Sequence, residues 1–342
     1  MATRTPWPNG DFRTMPRCGG VPVRAIHATC IRVCSLAALL LLLLGCDAVD
    51  GATTRPSSVP ADTVAAYDAP PSIPSVSSTP TEGSADAYLA RATNSYQRHD
   101  LDAAIVAYTQ ALALQPDSAD AYQGRGLAYY GQGDLDRAIA DFTQALALRP
   151  NVATIYNNRG LAYYDKGDRD QAVVDYTRAI TTQPDLAEAY YNRGRVRYEQ
   201  GAIDQALADY AQTLALNPDF ADAYTWRGYV YHQRGDIDRA IADYSHAIAL
   251  KQTSVDAYLG RGLAYYAQND LDRADTDFTQ ALALRSDDAL ALCSRGLVRR
   301  DRGQHAAALA DFQACLEHAH DPTLLRGAAQ QIQALTATPE AY

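Results

Sequence analysis

Positive charge is scarce in this chain once its beginning is set aside. The 342 residues carry a formal charge of −10, and omitting residues 1–45, which hold five arginines and one aspartate, leaves 25 basic against 39 acidic residues. Nucleic acid is bound through clustered lysine and arginine that neutralise phosphates, so an acidic body argues against such a partner. Apolar runs are short as well. SLAALLLLLLG, from Ser35 to Gly45, falls below the roughly 20 residues of a comfortable membrane span. Chemistry is missing too, because no nucleophile, base and orienting group recur together. His318, His320 and Glu317 alternate along a helix and point apart, which is a poor metal arrangement. Turns such as Gly133-Asp134-Leu135-Asp136 lack the third ligand and the distal glutamate of a calcium loop. An enzyme, a cofactor, a metal and a small-molecule substrate are therefore not expected. Cysteine numbers six, but Cys18, Cys30 and Cys34 precede the end of the apolar run and Cys46 follows it at once. Cys293 and Cys315 remain. Outside the cytoplasm they have the chance to pair; since Cys315 stands where other copies of its segment carry Ala111, Ala145 or Thr213, a small buried thiol is the reading adopted from sequence.

What the chain does have is repetition. Seven 34-residue copies follow without a gap, at 85–118, 119–152, 153–186, 187–220, 221–254, 255–288 and 289–322, and such a period marks a repeat array. Position 8 is Gly126, Gly160, Gly194, Gly228, Gly262 or Gly296, with Ala92 in the first copy, and position 20 is alanine throughout, from Ala104 to Ala308. Position 24 is always a ring, from Tyr108 to Phe312. Small holes and bulky knobs in register are the chemistry of closely packed helices. Glycine at Gly133, Gly167 or Gly235 suits a left-handed end to a first helix, and the aspartates that follow suit a cap on the second. Proline at position 32 closes the second helix in four copies (Pro116, Pro150, Pro184, Pro218); Gln252, Ser286 and His320 stand there in the last three, where a weaker stop is expected. Arginine occupies position 7 in every copy, Arg91 to Arg295, and aspartate position 23 in six, Asp141 to Asp311. Two readings fit this pattern: repeated ion pairs between neighbouring helices, or a solvated charge row worth little.

These residues resemble the tetratricopeptide repeat family over about 240 positions, 85–322. The markers are small residues at 8 and 20, the ring at 24, alanine at 27 in five copies and proline at 32 in four. Arginine at position 7, often leucine in the family, is the recurrent departure. The resemblance implies an all-α fold, a right-handed solenoid of seven helix pairs. A final amphipathic segment, 323–336, has Leu325, Ala328, Ala329 and Ile332 on one side and glutamines on the other, and would close the exposed end, leaving 337–342 as a tail.

The start of the chain reads as an address. Arg17, Arg24 and Arg32 precede the apolar run in the manner of a signal peptide, 1–46. Its end, Leu43-Leu44-Gly45-Cys46, resembles a bacterial lipoprotein box, which implies lipidation of Cys46; an uncleaved signal anchor through the same run is the alternative, and translation from Met15 rather than Met1 would shorten the leader. Residues 47–84, rich in proline, serine and threonine without periodicity, read as a disordered tether. The expected location is the bacterial cell envelope, lipid-anchored on the extracytoplasmic side.

Helical periodicity puts positions 2, 5, 6, 9, 12 and 13 of each first helix on one side, and in proteins of the resembling family that side lines an inner groove for partner peptides. Position 12 gives Tyr130, Tyr164, Tyr198 and Tyr266, with Tyr96 in the first copy; position 9 gives Leu161, Arg195 and Tyr229. These rings either meet an extended ligand, offering area and a polar tip, or pack between adjacent first helices. Asn158 and Asn192, in register at position 6 with Asn157 beside one, have donors and acceptors for peptide amides; they resemble a short asparagine ladder of the kind in O-linked GlcNAc transferase. The expected function is a membrane-tethered scaffold that binds a protein segment, extended or helical, in that groove, similar in plan to the repeat lipoproteins of pilus and envelope assembly. A structural spacer or self-assembling array, and an accessory subunit of an envelope enzyme, are the alternatives.

Overall fold

The computed structural model describes residues 83–337. The expected signal peptide, Cys46 and most of the 47–84 tether lie outside the described residues, as does most of the tail. Among the described residues the structure is entirely helical: α1 (Ala85–Gln97), α2 (Leu101–Leu114), α3 (Ala119–Gly131), α4 (Leu135–Leu148), α5 (Ala153–Lys166), α6 (Arg169–Thr182), α7 (Ala187–Glu199), α8 (Ile203–Leu216), α9 (Ala221–Gln233), α10 (Ile237–Leu250), α11 (Val255–Ala267), α12 (Leu271–Leu284), α13 (Ala289–Asp301), α14 (His305–His318) and α15 (Pro322–Ala337). Each 34-residue unit is one helix pair. The two helices of a unit pack most extensively on each other, and the second then packs on the first helix of the next unit. First helices of successive units also touch one another along the array, so they form its inner side.

The punctuation works as its chemistry requires. Position 15 has a positive φ at Gly133, Gly167, Gly201, Gly235 and Gly303, and also at His99 and Asn269, where the chain must accept the strain that glycine avoids. Asp100, Asp134, Asp168 and Asp270 then accept a backbone N–H at the start of α2, α4, α6 and α12. The expected weaker stop in the last three copies is corrected: α10, α12 and α14 end at Leu250, Leu284 and His318, in register with the helices that proline follows. The residue after position 30 leaves helical dihedrals in either case, as Lys251 (φ −137°) and Gln115 (φ −133°) do, while its N–H still bonds back to the residue at position 27. Packing of the next helix, rather than the missing donor of proline, fixes the end.

The hole and knob meet as read. A Cβ added at Gly126, Gly160 or Gly296 would stand 2.8 Å from the ring of Phe142, Tyr176 or Phe312 of the same unit, inside any real carbon contact, and the position-20 alanines are fully buried. The capping helix α15 is turned by about one residue from the sequence reading: Leu324, Gly327, Ala328 and Gln331 are its buried residues, and Ala329 is exposed. Arg300 explains the turn, because its Nη1 donates to Gln331 Oε1 at 2.6 Å and draws that glutamine inward.

Cys293 and Cys315 correct the reading of a buried thiol. They form a disulfide between α13 and α14, with Cα atoms 5.5 Å apart, within the span such a bond needs. Both side chains are fully buried, so the bond sits inside the last unit beside α15.

Candidate functional site

Three sets of polar side chains run along the array, and together they separate what is structural from what is available. The first is the arginine row. In six units the position-7 guanidinium grips the position-23 carboxylate of its own unit with two hydrogen bonds; Arg159 does so at 2.7 and 2.8 Å to Asp175. Arg125 to Asp141, Arg193 to Asp209, Arg227 to Asp243, Arg261 to Asp277 and Arg295 to Asp311 repeat the grip. A further donor of the same arginine reaches the previous unit at position 25: Thr109 from Arg125 (3.1 Å), Thr143 from Arg159 (3.0 Å) and Ser245 from Arg261 (3.1 Å). Arg227 has Ala211 opposite and lacks that bond. Five of the six arginines thus tie three helices and Arg227 ties two, and the solvated-row reading gives way to buried bidentate pairs. The hydrogen bond to Asp243 raises the pKa of Arg227 against the opposing effect of burial.

The second set lies at the turns. Position 18 of one unit meets position 14 of the next across all six junctions: Asp102 with Gln132, Asp136 with Lys166, Asp170 with Gln200, Asp204 with Arg234, Asp238 with Gln268 and Asp272 with Arg302. The last unit, which has no successor pair, carries Ala306 at position 18. These contacts are exposed and individually weak, but they set register.

The third set is on the inner side, where sequence reasoning placed the site. The position-12 rings do not wave free hydroxyls over an apolar row. Tyr130 donates to Asp165 at 2.6 Å, Tyr164 to Glu199, and Tyr266 to Asp301 at 2.5 Å, each time reaching position 13 of the next unit. This ladder was missed in the sequence, although its signal is there: an acid one residue past the tyrosine position in the following copy. Burial pushes the Asp165 carboxyl above the usual range, against the opposing pull of Tyr130, Arg195 and Arg169. Arg169 pairs with Glu199 at 3.0 Å.

The predicted site residues fall into one central group and two outliers. Asn157, Asn158, Leu161, Tyr164, Asn192, Arg195, Tyr198 and Tyr229 lie together on α5, α7 and α9; Tyr130 sits one unit earlier at the edge of this group, and Tyr266 lies apart on α11. Tyr164 and Tyr229 are 5% and 2% exposed, so these two rings mainly pack between first helices, whereas Tyr198 and Tyr130 are half-buried. Trp226, not singled out in the sequence, belongs to the group: its ring lies 5.9 Å from that of Tyr198 and 6.0 Å from that of Tyr229.

Arg195 sits at the centre, 3% exposed. Aromatic faces surround its guanidinium: Tyr164 at 5.1 Å, Trp226 at 5.6 Å and Tyr191 at 5.8 Å, the geometry of cation–π attraction. It donates to Tyr164 Oη at 3.4 Å, and its Nε has no hydrogen-bond partner. Asn192 Nδ2 donates to Asn157 Oδ1 at 3.1 Å. Asn157 Nδ2, Asn192 Oδ1 and both ends of Asn158 remain unpartnered although these residues are 1–3% exposed.

Among the described residues no group of His, Cys, Asp and Glu is arranged to hold a metal, and no helix is long and apolar enough to cross a membrane.

Comparison with known proteins agrees with this architecture. Family models described as TPR repeat match residues 95–133, 126–167, 160–201, 194–235 and 228–269, and one described as tetratricopeptide repeat matches 259–322. No curated protein matches the sequence significantly. Among solved structures, a tetratricopeptide repeat protein from Parabacteroides merdae is 21% identical with a TM-score of 0.56, over 72% of this chain and 98% of that one. Pseudomonas aeruginosa pilF is 19% identical, TM-score 0.56, over 64% and 97%. PilW, described as a type IV pilus biogenesis factor, is 22% identical, TM-score 0.53, over 58% and 92%. At these identities the likeness is one of fold. The gripped knobs and holes, the helix pairs in unbroken succession and the family models across 95–322 agree, and the chain belongs to the tetratricopeptide repeat family.

Proposed function

We propose that the chain is a non-catalytic scaffold that binds a protein segment along the inner side of its array, centred on α5, α7 and α9, while a lipid on Cys46 holds it to the outer side of a bacterial membrane. The observation that carries the binding role is where the repeats stop being alike. Structural positions 7, 8, 20 and 24 stay nearly constant, but positions 5, 6 and 9 change abruptly. Units two and six have Gln123, Gly124 and Leu127, and Leu259, Gly260 and Leu263; units three to five have Asn157 and Asn158, Asn192 and Arg195, Trp226 and Tyr229. An array that served only as a spacer has no need to replace glycine and leucine there by asparagine, arginine and large rings. Large rings and a buried arginine are the residues on which interfaces concentrate their energy.

The outer face of α15 carries exposed Gln330 and Gln333, a polar ending that supports a closed scaffold over end-to-end assembly. The disulfide in the last unit supports a location outside the cytoplasm. Envelope or pilus assembly is the setting we favour; PilW shares the fold, and its described role in pilus biogenesis makes that setting worth testing first.

The test is crosslinking in membranes followed by mass spectrometry, comparing the wild type with Tyr130→Ala/Tyr198→Ala and with an outer control, Gln144→Ala/Gln212→Ala. The reading expects partner loss in the first variant only. Equal recovery from both, with both folded, would move function out of the groove. Labelled palmitate should enter the wild type and not Cys46→Ala; a membrane-bound, unlabelled wild type would favour the uncleaved anchor.

A further inference from the structure

Successive units are joined by three kinds of polar tie. The position-7 arginine reaches the serine or threonine at position 25 of the preceding unit, the position-12 tyrosine reaches the acid at position 13 of the following unit, and position 18 meets position 14 across the turns. Hydrogen bonds to ionised groups fix angle as well as distance, so a junction that has all three is held at one angle. The junction of units three and four is of this kind. Arg193 donates to Thr177 at 3.2 Å, Tyr164 to Glu199 and Gln200 to Asp170 at 3.0 Å, while Arg169 and Asn192 add bonds to Glu199 and Asn157.

The next junction, α8 on α9, is built differently. Position 25 of unit four is Ala211, so Arg227 grips Asp243 of its own unit and has no hydroxyl to reach across. Position 13 of unit five is Gln233, which donates to Tyr229 on the same helix, and Tyr198 meets the Tyr229 hydroxyl at 3.3 Å where Tyr130, Tyr164 and Tyr266 meet a carboxylate. The turn contact of Asp204 with Arg234 remains, but it is exposed and weak. Among the described residues no other junction of two units lacks both the hydroxyl at 25 and the acid at 13. Gly131 and Ala267 remove the acid elsewhere, yet Thr109 and Ser245 keep the arginine tie at those two junctions. Packing agrees: α8 and α9 pack on each other less extensively than the helices at any other junction, and α7 and α9 approach each other less than any other two successive first helices. Rings fill the space, with Tyr198 5.9 Å from Trp226 and 5.5 Å from Tyr229, and Phe220 4.8 Å from Tyr191. Apolar contact resists separation but is not directional, so it permits a tilt that paired charges do not.

We infer that the array is two stiff arms, 85–220 and 221–337, that hinge at the α8–α9 junction, and that the hinge opens and closes the inner side between Tyr198 and Trp226. Each unit contacts only its neighbours, so the one loosely tied junction takes the bend that the others resist. Trp226, 5% exposed in this structure, is the ring that opening uncovers. The hinge does not depend on the groove reading; where that reading holds, this junction sets the width offered to a partner.

The experiment is double electron–electron resonance between two nitroxides placed three units apart, each carried on a keto amino acid so that the cysteines stay as they are. Gln110 with Gln212 lies within one arm, and Arg178 with Gln280 spans the junction; all four are exposed and stand at position 26. The spanning pair should give a distance distribution about twice as broad as the other, or more. Ala211→Thr/Gln233→Glu, both at exposed positions, supplies the missing hydroxyl and acid and should narrow the spanning pair to the width of the control. With Trp7→Phe leaving Trp226 as the single tryptophan, acrylamide should quench it less in the re-tied variant than in the chain without those two changes. A spanning pair no broader than the control overturns the hinge, and so does breadth that survives the restored ties in a variant that circular dichroism shows to be folded. Equal quenching in the two chains overturns the opening of the inner side. None of these results touches the groove reading, whose own test is recovery of a partner.

Discussion

Two buried polar systems run side by side through α5 and α7, and they are built on opposite terms. On one flank of these helices Arg159 and Arg193 are gripped by Asp175 and Asp209 and hold Thr143 and Thr177 of the preceding units. On the inner flank, a residue or two away in sequence, Asn158, Asn192 and Arg195 are as deeply buried and leave polar atoms unanswered. The first system has its partners inside the chain and repeats in six units. The second appears once. The closed set of charges joins helices, whereas the inner set leaves its atoms without partners inside the chain.

The comparison breaks most visibly if the closed system is opened. Asp175→Ala leaves Arg159 buried without its carboxylate, and losing one partner of such a pair costs about 3–5 kcal/mol. Urea unfolding should register that loss, while recovery of the crosslinked partner changes little. A result under about 1 kcal/mol would return the arginine row to the status of weak surface pairs.

Next in size is the disulfide, which closes a loop with a sequence separation of 22. Cys293→Ala/Cys315→Ala should lose about 3 kcal/mol by the chain-entropy argument. Hydrogen exchange should place the loss in α13 to α15 rather than in α5 and α7, since units exchange stability only with neighbours. Loss spread evenly over the array would contradict that locality.

Packing comes third. Gly160→Ala puts a Cβ 2.8 Å from the Tyr176 ring, and forcing that contact should cost about 1–3 kcal/mol. Unchanged melting would mean that the α5–α6 crossing relaxes freely. Smallest is the turn ladder: Lys166→Ala removes the exposed partner of Asp136 and should change stability by less than about 1 kcal/mol, less still in high salt.

Much of this was legible in the sequence because a repeat states its structural positions seven times over. Glycine at 8 against a ring at 24 reads directly as a crossing, and the aspartates after the turn read as caps. The arginine row was legible as a pattern but not as a contact: positions 7 and 23 lie 16 residues apart on two helices, and periodicity does not say whether two long side chains meet. Cys293 and Cys315 were obscured by the residues that replace Cys315 in other units, all small, which point to packing rather than bonding. The site was half visible. Asn158, Asn192 and Arg195 stood out as departures, but Trp226 did not, and the acids at position 13 hid because each partners a tyrosine in the preceding unit. For Tyr164 both readings, groove ring and packing ring, were open, and at 5% exposure it is chiefly the second, since one side of a helix within an array faces both the groove and the next first helix.

The central claim is that the inner cluster is open and the arginine row closed, and one paired measurement tests it most directly: urea unfolding of Asn158→Ala beside Asp175→Ala in the otherwise unaltered chain. Removing side-chain atoms that already lack partners should leave stability within about 0.5 kcal/mol of wild type or raise it, against a loss of several kcal/mol for Asp175→Ala. Equal, large losses from both would mean that Asn158 is satisfied within the folded chain and that the inner side holds no open set for a partner.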